Sequence, residues 1–414
     1  MIRIVVVTPF APTDKARHAG QLFVTQYVRC LAGLGQKLSV IAPGTSDNRS
    51  DSVGGLLGID VELFDLRRPS VSDLLEYLSR LRRDGFGAGL GFEGAFRSAP
   101  QLPAIFASAD IVYLMFPTLL CLSDTVRAMS PKAKIIAFEV DVFSESVDRG
   151  RHFGSPLRRL VSRLRYPLVR RAERSLLNGV HLVLVFHHGS KDYLRRLGVE
   201  SRVATFAPLL PVPRVTNQSV RNSAGAGVIF VAAFYRPENC EGLAWLITAV
   251  WPHVISRMPS AHLGLVGGDM PTQLRSRLPE NVVAYGYVGC LAEAYERHAV
   301  AVAPLLRGSG VKFKVIEALL HGMPVVATTI AAEGIESAGT TEGFLSVAND
   351  PRLFADHLVN LLAHPAERRA AGMRAREWAL PRFTANDGRF MEIRSLHRKV
   401  LSTVIPSSDS SSAS

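Results

Sequence analysis

A chain of 414 residues exceeds what one hydrophobic core supports, so two domains of ordinary size are expected. Its 47% hydrophobic and 20% charged residues suit a globular protein, and no apolar run reaches the roughly 20 residues that span a bilayer. The formal charge of +12 asks for an anionic partner, and charge alone does not choose among nucleotide, phospholipid, acidic glycan and nucleic acid.

The opening MIRIVVVTPF reads as a first strand ended by Pro9, without the small-residue cleavage site of a secretory signal. Short continuous apolar runs follow at Leu38 to Ile41, Ile111 to Tyr113, Lys134 to Phe138 and Leu182 to Phe186, separated by helical patterns. Runs of that kind mark strands covered on both faces, as in parallel sheets. A second series comprises Val228 to Val231, His262 to Val266, Val282 to Tyr285, Val300 to Ala303 and Pro324 to Thr328. The expectation is therefore two consecutive α/β units, each a doubly wound parallel sheet.

Residues 1–206 form the first domain in this reading, and 207–227, with Pro208, Pro211 and Pro213 followed by Asn, Ser and Gly, form an exposed linker. The second domain covers 228–385, a helical pattern occupies 386–404, and the serine-rich end 405–414 has nothing to bury. The glycine- and phenylalanine-rich stretch Asp84 to Pro103 is read either as a mobile loop over a cleft or as a disordered insertion. Cys30, Cys121, Cys240 and Cys290 stand far apart, which excludes the close pairs of zinc and redox motifs and points to a reduced, cytoplasmic setting.

Between Arg149 and Arg174 nine arginines face one acid, Glu173. Leu157, Leu160, Val161, Leu164, Leu168 and Val169 recur there near helical spacing. Two readings stand: a basic amphipathic helix peripheral on an anionic membrane, at the cytoplasmic face of the inner membrane, or a solvated helix whose apolar side lies in the core. No aromatic platform interleaves the arginines, so nucleic acid is not expected as a partner. His187 and His188 lack the spacing of a metal face and read as helix-start or loop packing, and Gly267-Gly268-Asp269 lacks the third glycine of a dinucleotide fingerprint and reads as a strand-ending turn.

The segment carrying most chemistry is APLLRGSGVKFKVIEALLHGMPVVAT, Ala303 to Thr328. A strand runs into Gly308-Ser309-Gly310 and then a helix with Lys312 and Lys314 in its expected first turn, where cations oppose the helix dipole at up to about 1 kcal/mol each. Glycine-turn N–H groups, a helix N-terminus and two lysines together make a diphosphate site. Glu317, one turn beyond Phe313, is within reach of a ribose hydroxyl pair, against the alternative of a solvated Lys–Glu helix face.

GSGVKFKVIEAL followed by GMPVVATTIAAEG resembles the donor-binding signature of the retaining glycosyltransferase family four, whose fold is GT-B. FVAAFYRPENCEGLAWLITAVWPHV, LGLVGGDMP and YGYVGCLAEAYERHAVAVAPL are similar to the same family in the same order, so the likeness spans about Val228 to Trp378. The resemblance implies a retaining, metal-independent transferase that moves a sugar from a nucleotide diphosphate donor lying in a cleft between two Rossmann-like domains. Its acceptor would be a glycan, a lipid-linked molecule or a small molecule, in a bacterial polysaccharide pathway, with no resident cofactor. It also implies that Gly20, in the loop after the first strand, lies near the transferred sugar, unless it is only a helix-start glycine. By the same resemblance Glu139 and Asp141 face the acceptor, and the last helix returns to the first domain. An isolated acid-x-acid pair is too weak a signal for metal binding.

The chain departs from the family in two places. Ser309 stands where many members carry a glutamate eight residues before the position of Glu317. Of the arginine and lysine that members use after the second domain's first strand, only Arg236 is present, followed by Asn239, so Lys312 is the candidate for the missing charge. The expected site is thus Gly20, Asp141 and Lys312 for catalysis, and Arg236, Asn239, Gly308, Ser309, Gly310, Lys312, Phe313 and Glu317 for the donor. Ser309 also admits two rivals, a weakened nucleotide-sugar-binding or scaffolding protein and a sugar-nucleotide epimerase.

Overall fold

In a computed structural model, residues 1–16, 18–51, 59–66, 71, 73–75, 91–151, 156–213, 227–335 and 343–402 are described. Residues 214–226 of the expected linker, 84–90 of the glycine-rich stretch and the serine-rich end lie outside them. The chain divides into two compact units, Met1–Leu209 with Ala385–Ser414, and Leu210–Thr384.

The first unit is a seven-stranded sheet in the order β3-β2-β1-β4-β5-β6-β7. Its strands are β1 (Arg3–Val7), β2 (Lys37–Pro43), β3 (Asp60–Phe64), β4 (Ile111–Met115), β5 (Lys134–Glu139), β6 (Leu182–Val185) and β7 (Arg202–Thr205), every adjacent pair parallel. The second unit is a six-stranded sheet, β10-β9-β8-β11-β12-β13. It is built from β8 (Gly227–Val231), β9 (His262–Val266), β10 (Val282–Gly286), β11 (Val300–Ala303), β12 (Val325–Ala327) and β13 (Leu345–Val347), again parallel throughout. Central strands are uniformly buried because helices cover both faces, which accounts for their continuous β-branched runs.

The helices that bear on the site are α1 (Ala19–Ala32), α2 (Phe92–Ser98), α3 (Phe143–Gly150), α4 (Pro156–Asn178), α5 (His188–Arg196), α6 (Pro237–Trp245), α7 (Phe313–Leu320) and α8 (Asp387–Leu401). α1 packs Phe23 and Tyr27 on Phe138, Phe186 and Phe206 in a buried aromatic layer with edge-on rings. α8 joins this unit: His397 hydrogen-bonds the Tyr113 hydroxyl at 2.7 Å, and Arg389 lies 3.8 Å over the Phe206 ring while donating to the Ala207 carbonyl.

The described half of the Asp84 to Pro103 stretch is not an irregular loop. α2 buries Phe92 and Phe96 edge-on against Phe64, at 5.3 and 5.5 Å between ring centroids, because its phenylalanines fall on one helical face over β3.

A buried acidic pair behind β5 makes stability pH-dependent. Glu173 of α4 accepts from the Phe143 and Ser144 backbone N–H groups and the Ser144 hydroxyl, capping α3, yet burial holds its carboxyl up at about 7. Burial, then Glu173 and Asp141, push Glu139 well above the usual carboxylate range. Raised carboxyls mean that the folded chain binds more protons than the unfolded one, so stability falls as pH rises from about 4.5 through 7. Glu139→Gln is expected to raise the melting temperature at pH 8 and leave it nearly unchanged at pH 5. The gain is about 1.4 kcal/mol per pH unit by which the native carboxyl is raised, read from melts at both pH values.

Candidate active site

In the second unit the strand order reverses between β8 and β11, whose connections leave to opposite sides. Such a switch point opens a crevice outside the carboxyl ends of the two strands. The loop after β8 runs to Arg236, the exposed N-cap of α6, with Pro237 supplying a pre-set first helical residue. Asn239 donates to the Ala233 carbonyl at 2.8 Å, which turns its Oδ1 toward the Lys314 ammonium, 2.7 Å away.

The loop after β11 is tied to α6 by Arg307, which donates twice to Glu241, at 2.5 and 2.8 Å. Gly308 and Gly310 then adopt φ of 126° and 72°, where a side chain is strained, so this turn requires glycine. Gly242 lets α6 approach the same loop, since a Cβ there would stand 2.6 Å from the Pro304 carbonyl oxygen. Ser309 lies between the two glycines, half-buried.

Lys312 is the N-cap of α7 and not part of its first turn, because its extended backbone (φ −90°, ψ 100°) precedes the helix that Phe313 begins. Its ammonium turns back to the Ser309 carbonyl at 2.9 Å and the Gly310 carbonyl, 4.0 Å from Glu333. Lys314 is the lysine that meets Asn239. It stands 5.0 Å over the Phe230 ring, and burial, then the charges of Lys312 and Arg236, bring its pKa down to about 7. Glu317, one turn beyond the half-buried Phe313, is pushed up to about 7 by burial.

Arg236, Asn239, Gly308, Ser309, Gly310, Lys312, Phe313 and Glu317 thus lie on two connections that meet at one switch point, and Lys314 and Glu333 join them. Lys314 was visible in the sequence as a charge at the helix start, but its pairing with Asn239 spans 75 residues and needs the fold. Glu333 ends the short helix Thr329–Ala332 that follows β12, and no local pattern links it to Lys312.

In the first unit, Gly20 is the second residue of α1 and not a loop residue, because His18 caps the helix by accepting from the Gln21 N–H. It lies at that sheet's own switch point, between β1 and β4. A Cβ on Gly20 would stand 3.3 Å from the Phe116 ring and 3.4 Å from the Phe10 ring. Phe116, just beyond β4, holds φ 85°, a left-handed conformation that costs a residue other than glycine about 1–3 kcal/mol and gathers at functional sites. Nothing in the residue pattern announces it. Asp141 is exposed in the turn after β5, whereas the Glu139 side chain is 1% exposed and closed to any acceptor.

His187 is the N-cap of α5, accepting from the Ser190 N–H, and Gly267-Gly268-Asp269 is the turn that ends β9. Among the described residues no group of three His, Cys, Asp or Glu side chains is placed to hold a metal ion.

Comparison with known proteins gives this site a context. Residues 225–364 match the family described as Glycosyl transferases group 1. A stretch of 144 residues is 32% identical to a Klebsiella pneumoniae protein described as an uncharacterized 44.6 kDa protein in the cps region, over 32% of this chain and 36% of that one. The match therefore spans about a third of that relative's length. The sucrose-phosphate synthase of Thermosynechococcus elongatus superposes with a TM-score of 0.72 at 17% identity, over 97% of this chain and 99% of that one. Anabaena Alr3699/HepE, solved in complex with UDP, superposes with a TM-score of 0.66 at 14% identity, over 95% and 99% of the two chains. At such identities the likeness to solved structures is one of fold. Residues 225–364 thus match the group 1 glycosyltransferase family, within a chain whose two-sheet α/β fold is of the GT-B kind.

Proposed function

We propose that this protein is a retaining glycosyltransferase that takes a sugar from a nucleoside diphosphate donor without a metal ion and passes it to a glycan, lipid-linked or small-molecule acceptor. The observation that carries the reading is the convergence, at the switch point of the second sheet, of a glycine turn, the start of α7 and the cations Arg236, Lys312 and Lys314. The first N–H groups of a helix have no intrahelical acceptor, and lysines beside them add repulsion that an anion relieves.

In the reaction the bond between the anomeric carbon and the phosphate oxygen breaks, and the nucleoside diphosphate departs with the electron pair. The acceptor oxygen attacks from the same face, and its proton passes to the leaving phosphate. Fixed N–H groups and ammonium groups stabilise the charge that builds on the diphosphate. Glu317 holds the ribose, and Gly20 and Asp141 serve the sugar and acceptor side. UDP in Alr3699/HepE makes a uridine diphosphate donor the first to try.

The test is slow hydrolysis of a panel of nucleotide sugars by the purified protein, with and without magnesium. Turnover of at least one donor, indifferent to magnesium, is expected. Glu317→Ala should raise the donor KM roughly 10- to 100-fold, the worth of hydrogen bonds to a charged group. Unchanged KM would remove Glu317 from the site, and interconversion of donor sugars without hydrolysis or transfer would mean an epimerase.

A further inference from the structure

The proposed chemistry does not use α4. This helix of 23 residues, about 35 Å long, carries seven arginines and a single acid, the buried Glu173. The leucines at its start do not lie in the core as an ordinary surface helix would place them. Leu157 is 70% exposed, Leu160 53%, Leu164 66% and Leu168 41%, with Val161 also exposed, while the buried contacts fall on Val169, Ala172 and Leu177 of the second half. At 3.6 residues per turn Leu157, Leu160, Val161, Leu164 and Leu168 form one outward stripe, and the exposed Arg159, Arg163, Arg170 and Arg174 form the adjoining one. Because α4 leads from β5 back to the parallel β6, its unpacked first half stands at the carboxyl edge of the sheet, the edge that carries Asp141 and Phe116.

We propose that the outward face of α4, the leucine stripe from Leu157 to Leu168 with its adjoining arginines, is a docking surface for an anionic lipid bilayer, with the leucines entering the headgroup boundary and the arginines meeting lipid phosphates. Charge complementarity selects this occupant. Two copies of α4 set face to face would bring like charges together with no exposed acid on the helix to offset them. Single-stranded RNA would need exposed aromatic platforms, whereas Tyr166 is half-buried with the Arg151 guanidinium 4.2 Å over its ring. No helix among the described residues is long and apolar enough to cross a membrane, so the contact is peripheral.

Co-sedimentation of the full chain with vesicles tests the proposal. Binding is expected with phosphatidylcholine mixed with phosphatidylglycerol and not with phosphatidylcholine alone, and it should weaken in high salt. Since each basic residue near an anionic surface is worth roughly fivefold, the triple change Arg163→Gln, Arg170→Gln, Arg174→Gln should weaken binding about a hundredfold. Leu164→Trp, in an otherwise unchanged chain, should shift its emission to shorter wavelength when anionic vesicles are added, a readout that survives if the charge variants fail to fold. Three results would overturn the proposal: no anionic-vesicle binding, binding unchanged by the triple substitution, or a Leu164→Trp emission that stays water-like. Loss of self-association, instead of lipid binding, in Leu160→Ser, Leu164→Ser would also overturn it and make the face a contact between copies.

Discussion

Lys314→Met is expected to lower turnover of a nucleotide sugar roughly a hundredfold to a thousandfold, the loss typical of removing one fixed charge or donor from a developing anion. The substitution keeps the length of the side chain and its packing on Phe230 while removing the ammonium that meets Asn239. A pH signature separates this role from a structural one. Burial and the neighbouring cations hold Lys314 at about 7, so above that pH the amine is largely neutral. A bound diphosphate favours the charged form, so binding there takes up a proton. Affinity should be flat below pH 7 and fall by up to tenfold per pH unit above it. Calorimetric titration of a nucleoside diphosphate across that range should show the slope in the native chain and none in Lys314→Met. Equal slopes in both would assign the proton elsewhere.

The largest expected loss of stability comes from one methyl group on Gly267. Its φ is 142°, a conformation side chains rarely adopt, and a Cβ there would sit 1.7 Å from the Ala232 carbonyl oxygen. The obstructing atom belongs to the backbone at the end of β8. The Gly267 N–H donates to the Gly286 carbonyl at 2.8 Å, and the Ala232 N–H to the Val266 carbonyl at 2.9 Å, so moving either strand end disrupts three strands. Gly267→Ala should cost about 4 kcal/mol or more, seen as a melting temperature lower by on the order of 10 °C or as failure to fold. Gly289→Ala, where a Cβ would meet nothing within 4 Å, is the control and should melt like the native chain. Equal melting temperatures for all three proteins would contradict the strand-end geometry.

The difference between what the residues announce and what they conceal follows from where the determining contacts lie. Central strands such as IVVV and LVLV are legible because burial on both faces imposes unbroken β-branched runs. Three of the four edge strands, β3, β7 and β13, escape the same reading: DVELF, RVAT and LSV are short or interrupted by polar residues, since an edge is less completely covered. The turn at Gly308 to Gly310 and the lysines after it are contiguous in sequence and can be read directly. The Lys314–Asn239 and Lys312–Glu333 pairs, the strained Phe116 and the capping of α3 by Glu173 depend on chain crossings that no local pattern encodes. Periodicity identified α4 as two-sided, but which side faces water is decided by the sheet beneath it, and here the leucines face outward.

A crystal of the protein grown with a nucleoside diphosphate shows where the donor's phosphates bind. The diphosphate is expected at the Gly308 to Gly310 turn and the start of α7, with Lys314 and Arg236 on its oxygens and Glu317 on the ribose. A nucleotide bound elsewhere, with that turn unchanged and empty, would contradict it.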